Sequence, residues 1–268
     1  MAMKGKQFYG KIAVITGGTT GIGAATAQLL VEEGARVVIC ARKEPAVDSW
    51  AHKISADSMI FQKCDVAIRT EVEAVIEKAA DAFGGLDILI NNAGLPCLGF
   101  TPDLDPETWA QTIAVNLNAV FYACRAAIPL MKRRHGGAIV NTSSISGLAA
   151  DYGFTAYNAA KGAVNNYTKS LAIDHAKDNI RANAVCVGYV DTPMSAFIIE
   201  AGLSKTWVDN VPMGRAGRPE EIANVLAFLA SDAASFMTGS IVVADGGLMA
   251  ATGQPNLPKL VAQMQSKS

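Results

Sequence analysis

The feature that most constrains this 268-residue chain is the stretch Ile12 to Gly23, read Ile-Ala-Val-Ile-Thr-Gly-Gly-Thr-Thr-Gly-Ile-Gly. A β-branched run stops at glycines and a helical pattern follows, which predicts a strand, a tight turn and a helix. Gly17, Gly21 and Gly23 allow a sharp turn and a close approach to a ligand, because no Cβ stands in the way. The unpaired amides and positive dipole end of the next helix then favour an anion such as a pyrophosphate. The spacing is T-G-x-x-x-G-x-G rather than G-x-G-x-x-G, and a turn of this kind also occurs where nothing binds, so other residues must decide.

The rest of the chain repeats the alternation. Strands are expected over Arg36 to Cys40, Ser58 to Gln62, Leu86 to Ile90, Ala138 to Thr142, Arg181 to Val187 and Ile241 to Val243. Helical periodicity lies between them: Ile22, Ala25 and Leu29 share one face, as do Val72, Val75, Ile76, Ala79 and Phe83, and Ile222, Val225, Leu226 and Leu229 after Pro219. Hydrophobic residues are 50% of the chain and charged residues 18%, enough apolar material for a sheet buried on both faces. The prediction is an α/β fold, a Rossmann-type doubly wound parallel sheet of seven strands with helices on both faces, in one domain spanning 1–268. Ligands of such a sheet bind at the carboxyl ends of its strands.

A net charge of −1, with no basic run beyond Lys132 to His135, predicts neither nucleic acid nor a membrane as partner. The first seven residues hold no apolar leader core, which predicts a cytoplasmic protein. Five cysteines without Cys-x-x-Cys spacing and three histidines without ligand spacing predict buried thiols and no metal site.

Tyr157 and Lys161, four apart on a predicted helix, emerge on the same face. An ammonium beside a phenol favours the phenolate, lowering the tyrosine pKa toward the range useful for proton transfer. An ordinary exposed helix carries such pairs too. Here, however, Ser144 follows the fifth strand, and Asn116 interrupts a helix from about Asp105 to Arg134, where asparagine is a poor former. A hydroxyl and an amide at that edge can hold a carbonyl oxygen and a water chain.

With these residues together, the chain resembles the short-chain dehydrogenase/reductases from Gly10 to about Leu248. The motifs are Thr16-Gly17-x-x-x-Gly21-Ile22-Gly23, Asn91-Asn92-Ala93-Gly94, Asn116, Ser144, Tyr157-x-x-x-Lys161 and the turn Gly188 to Thr192. The resemblance implies hydride exchange between a nicotinamide cofactor and a secondary alcohol or ketone. It implies Tyr157 as general acid/base, Ser144 as orienter of the substrate oxygen, Lys161 on the tyrosine and the nicotinamide ribose, and Asn116 as anchor of a relay water. The cofactor would lie along Gly17, Thr19, Thr20, Gly21, Ile22 and Gly23, with Asp65 and Val66 at the adenine. Asn92, with Ala93 and Gly94, would meet the ribose, and Gly188, Val190 and Thr192 the nicotinamide.

NADP is expected over NAD, because Ala41 stands where NAD-using relatives place aspartate and Arg42 follows it. Thr20 stands where many NADP-users have arginine, and Val187 where proline is common, which should loosen the following turn. Segment 193–215 is expected to be a substrate lid and 249–268 a tail, and helices rich in small residues point to a homotetramer. The substrate is expected to be a neutral, partly apolar alcohol or ketone, with polyols, sugars, and a turnover-free redox sensor as alternatives.

Overall fold

The computed structural model describes residues 6–46 and 49–265. Residues 1–5, read above for a leader, and the last three residues of the tail lie outside the described residues.

The chain runs β1 (Ile12–Thr16), α1 (Gly21–Glu32), β2 (Arg36–Ala41), β3 (Met59–Lys63), α2 (Arg69–Phe83) and β4 (Ile88–Asn91). It continues with α3 (Pro106–Ile113), α4 (Ala119–Arg133), β5 (Gly137–Ser144), α5 (Thr155–His175) and β6 (Ile180–Val187). Next come α6 (Ala196–Glu200), α7 (Ser204–Val208), α8 (Pro219–Ala230), β7 (Ile241–Ala244) and α9 (Leu257–Gln265). The seven strands form one sheet in the order β3-β2-β1-β4-β5-β6-β7, and every pair is parallel. All five residues of β1 are buried, as expected of a parallel strand covered on both faces. One face carries α2, α4 and α5 over a core that includes Val14, Val38, Leu89 and Ile139, and the other carries α1 and α8 over Ile15, Ile39, Ile90 and Val140.

Two local expectations change. The sheet-facing stripe of α1 is Gly23, Ala24, Ala27 and Leu30, whereas Ile22, Ala25 and Leu29 are only partly buried. The small residues face inward because this helix packs close to its strand, and Leu29 lies beside Ala227 and Phe228 of α8. Val187 pairs with Ala244 at the end of β6, and Gly188 N donates to Ala244 O at 3.0 Å. The expected tail contains α9, whose Pro258 falls in the first turn, where a missing N–H costs little.

The helical run from Pro106 to Arg133 is apolar and long enough to cross a membrane by length and composition. Its apolarity has a use within the fold, since Ala119, Val120, Ala123, Cys124, Ala127, Leu130 and Met131 belong to the sheet-facing core. Asp105 caps its start by accepting from Thr108 N at 2.7 Å. Between α3 and α4 the helix widens into one π turn, Ala114–Asn118, with Ala119 N donating to Ala114 O.

Candidate active site

The carboxyl ends of the central strands open on one cavity of about 610 Å³. At one end lies the glycine turn, with Gly17 and Gly21 at φ of +64° and +53°, a conformation that favours glycine. A Cβ on Gly21 would stand 3.2 Å from Thr192 Cγ2, so the turn and the loop after β6 close on each other. Helix α1 begins there with no side-chain cap from Thr20 and no acidic residue in its first turn. That leaves an electropositive helix end facing the cavity, the donor set a phosphate needs. Residues Ala41, Arg42, Cys64, Asp65 and Val66 line the far side. A bent dinucleotide fits this long, glycine-cradled cleft.

The reacting end is built on β5 and α5. Ser144, the last residue of β5, is buried, and its Oγ accepts from Ser146 N at 3.1 Å while donating to Ser146 Oγ at 2.9 Å. Tyr157 stands in the first turn of α5, its ring edge-on to Phe154 with centroids 6.1 Å apart. One turn on, Lys161 is buried; its Nζ donates to Thr142 O at 3.0 Å and lies 5.5 Å from the centroid of the Tyr157 ring.

The expected lowering of the Tyr157 pKa is not what this arrangement gives. Burial pushes the phenol up to about 12; the nearby Ser144 hydroxyl opposes this, and the charges of Asp151 and Cys186 add to the rise. Lys161 faces the ring rather than the oxygen, and burial brings its own pKa down to about 8. Desolvation of both groups outweighs their mutual attraction.

Asn116 also departs from expectation. It does not line the cavity; its Nδ2 donates to Leu95 O at 3.0 Å and Thr112 O at 3.1 Å, and its Oδ1 accepts from Leu95 N at 3.2 Å. The side chain thus joins the carbonyl one turn back to the loop after β4 and ties that loop down. The helix misfit therefore has a purpose, which includes anchoring that loop.

A family model described as enoyl-(acyl carrier protein) reductase matches residues 17–249. The chain belongs to the short-chain dehydrogenase/reductase family. It is 42% identical to cis-4-hydroxycyclohexanecarboxylate dehydrogenase of Sinomonas cyclohexanicum, over 92% of this chain and 99% of that protein. It is 38% identical to meso-2,3-butanediol dehydrogenase of Serratia marcescens, over 94% and 99% of the respective chains. The solved structure of aldohexose dehydrogenase of Thermoplasma acidophilum, in ligand-free form, superposes with a TM-score of 0.86 at 33% identity, covering 94% of this chain and 98% of that one. This short-chain dehydrogenase/reductase is accordingly an oxidoreductase acting on CH–OH groups, with a nicotinamide dinucleotide as cofactor.

Of the residues given a catalytic or cofactor role in the sequence, all but Gly23 and Asn116 line the cavity. Gly23 is a packing residue: a Cβ there would overlap Gly17 O and stand 2.5 Å from Asn92 Nδ2. Asn92 lines the cavity, and its Nδ2 donates to Thr16 O and Gly17 O at 3.2 and 3.1 Å, which ties it to the glycine turn. Within segment 193–215, Phe197, Ile198 and Trp207 reach the cavity, while Ile199 and Leu203 are exposed outside it. Phe154 and Leu248 also line it and were not foreseen. Phe154, three residues before Tyr157 at the helix start, was the one with a sequence signal.

Proposed function

We propose that this enzyme interconverts a neutral secondary alcohol and its ketone with NADP, using Tyr157 as general acid/base. The single observation that carries the reading is the convergence of Ser144, Tyr157 and Lys161 at one end of a cleft whose other end is an uncapped glycine-turn helix. The cofactor supplies or accepts the hydride, held by the amides of the glycine turn, Asp65 and Val66 at the adenine, and the loop Gly188 to Thr192. In reduction Tyr157 donates its proton to the carbonyl oxygen, and Ser144 holds that oxygen in line. In oxidation the same phenolate takes the proton back. Lys161 keeps a positive charge beside the ring and fixes the end of β5 through Thr142 O. A turnover-free sensor has no use for this set. The lining mixes Phe154, Phe197 and Trp207 with Ser146 and Asp151, so diols and sugars belong on the substrate panel.

The cofactor preference rests on Ala41 and Arg42, both on the cavity lining and Arg42 exposed. A forked, charge-assisted contact to a 2′-phosphate is worth about 1.5 to 3 kcal/mol, roughly ten- to a hundredfold in affinity. The deciding measurement is kcat/KM with NADP and with NAD over the panel. Wild type should favour NADP about tenfold or more, and Arg42→Ala should erase most of that ratio. A tenfold preference for NAD, or an unchanged ratio in the variant, refutes the reading.

Segment 193–215 serves as the lid. It carries α6 and α7, anchors through buried Ile198 and Val211, and is tied to the loop after β7 through Met213 N to Gly246 O at 3.1 Å and to α8 through the Arg215–Glu221 ion pair at 2.7 Å. Limited proteolysis should cut it several-fold more slowly with saturating cofactor, and equal rates would rule out closure. A homotetramer in the cytoplasm completes the proposal. It is supported by exposed Trp109, Phe121 and Ile173 on α3 to α5 and Phe228 and Phe236 near α8, apolar faces suited to copies of the chain. Light scattering should give four times the 28.0 kDa chain mass.

A further inference from the structure

The charged side chains on the cavity wall divide by end. Among the described residues they are Arg42 and Asp65 on the adenine side, and Lys161 and Asp151 at the reacting end. Lys161 is buried, with its ammonium on Thr142 O at 3.0 Å. Asp151 supplies the exposed charge at that end, beside a lining that is otherwise neutral and largely apolar, Phe154, Phe197 and Trp207 included. Its place is set by the fold rather than by its own side chain. Asn158 of α5 donates from Nδ2 to Asp151 O at 2.9 Å, and its Oδ1 accepts from Asp151 N at 3.4 Å. Any residue at 151 would keep both bonds. The carboxylate takes one hydrogen bond, from the Oγ of buried Ser146 to Oδ2 at 2.5 Å, while Oδ1 has no partner among the described residues. Ser146 is in turn next to the reacting centre, because Ser144 Oγ donates to Ser146 Oγ at 2.9 Å. A fixed negative charge therefore stands just beyond the place of the substrate oxygen, close enough to oppose ionisation of the Tyr157 phenol.

We propose that Asp151 selects substrates by charge: secondary alcohols whose far end carries a hydroxyl or an ammonium are accepted, and those whose far end carries a carboxylate are turned away. The inference rests on the reading of this cleft as a secondary-alcohol site and adds to it the sign of charge the site tolerates. An ionised carboxylate has only acceptor lone pairs, so a second carboxylate brings like charge and no donor to bridge the two. A hydroxyl brings a donor to Oδ1, and an ammonium brings a donor and an opposite charge, which makes the bond charge-assisted. The bond from Ser146 holds the carboxylate on the wall and restrains it from swinging away from an incoming anion. The apolar residues beside it leave the field less screened than on an open surface, and rejection by a placed like charge gives specificity without touching the reacting atoms.

The test measures kcat/KM of the NADP-loaded enzyme at neutral pH for three alcohols on one ring: cyclohexane-1,3-diol, 3-aminocyclohexanol and 3-hydroxycyclohexanecarboxylate. Wild type should prefer the diol and the amine to the carboxylate by about tenfold or more. Asp151→Asn should shrink the ratio of amine to carboxylate by about tenfold or more, chiefly through KM, since Asp151 takes part in neither the hydride nor the proton step. The charges of the cofactor and of Lys161 are common to both proteins, so the change in the ratio belongs to residue 151. Asp151→Ser, smaller and uncharged, should shrink the ratio as much. Asp151→Glu, which keeps the charge, should hold it within about threefold of wild type. A wild type that takes the carboxylate as readily as the diol overturns the selector. So does a ratio left unchanged by both neutral variants, or a Glu variant as unselective as they are. Should wild type turn over no secondary alcohol, the functional reading falls by itself. Calorimetric titration of the same three compounds into NADP-loaded wild type and Asp151→Asn then decides: the dissociation constants should show the same shift in ratio, and no difference between the two proteins overturns the selector.

Discussion

Replacing Tyr157 with phenylalanine is expected to cut turnover by about 10²- to 10⁴-fold, the usual contribution of a positioned proton donor. Cofactor affinity should stay within a few-fold, because the ring keeps its edge-on contact with Phe154 and only the hydroxyl is lost. The pH dependence gives a second check. Burial holds the phenol near about 12, so the protonated donor predominates throughout the neutral range. Ketone reduction should therefore be nearly flat with pH there, whereas alcohol oxidation, which needs the phenolate, should climb as pH rises. Tyr157→Phe should abolish that climb. Activity within tenfold of wild type would remove Tyr157 from the proton step.

Gly23→Ala is expected to be the most damaging of the small-to-large changes in the glycine turn. The added methyl overlaps the backbone carbonyl of Gly17, which cannot swing aside, and crowds Asn92 Nδ2, which is bonded to that same oxygen. Overpacking of this kind costs about 1 to 3 kcal/mol, occasionally more. Relief requires the turn to move off Asn92, which misplaces the amides that face the phosphate. Thermal unfolding should fall and NADP affinity should drop about ten- to a hundredfold, at roughly 1.4 kcal/mol per tenfold. Gly162→Ala is the control: inside α5 its nearest neighbour would be Gly147 O at 3.7 Å, so that variant should be neutral or slightly stabilised. Equal behaviour of the two variants would refute the packing account.

Local chemistry explains what could be read before the fold was known. Buried parallel strands announce themselves as β-branched runs, and the spacing of Tyr157 and Lys161 fixes their common face wherever the helix sits. What failed depended on distance in space rather than in sequence. Nothing near Asn116 in the chain indicates that its amide meets Leu95. The sign of the Tyr157 shift was misjudged because adjacency shows an ammonium but not the desolvation around it. In the tail, Leu257, Val261 and Met264 keep a helical period, but Pro255 and Pro258 masked it.

The strand order has a consequence for how the chain reaches this state. Strands β1, β2 and β3 are neighbours in both sequence and space, but the other edge of β1 must wait for β4, with Ala13 opposite Ile88 and Ile12 N donating to Asp87 Oδ2 at 2.8 Å. Until the ribosome has released β4, an entirely apolar edge stands open beside a half-built sheet, the situation in which chains associate wrongly. Closing that gap brings together residues far apart along the chain, so the step is entropically slow and should limit the rate of refolding. Asp87 then acts as a latch: it takes the first amide of β1 and, through Arg134 Nε at 2.7 Å, fastens the end of α4 to the same seam.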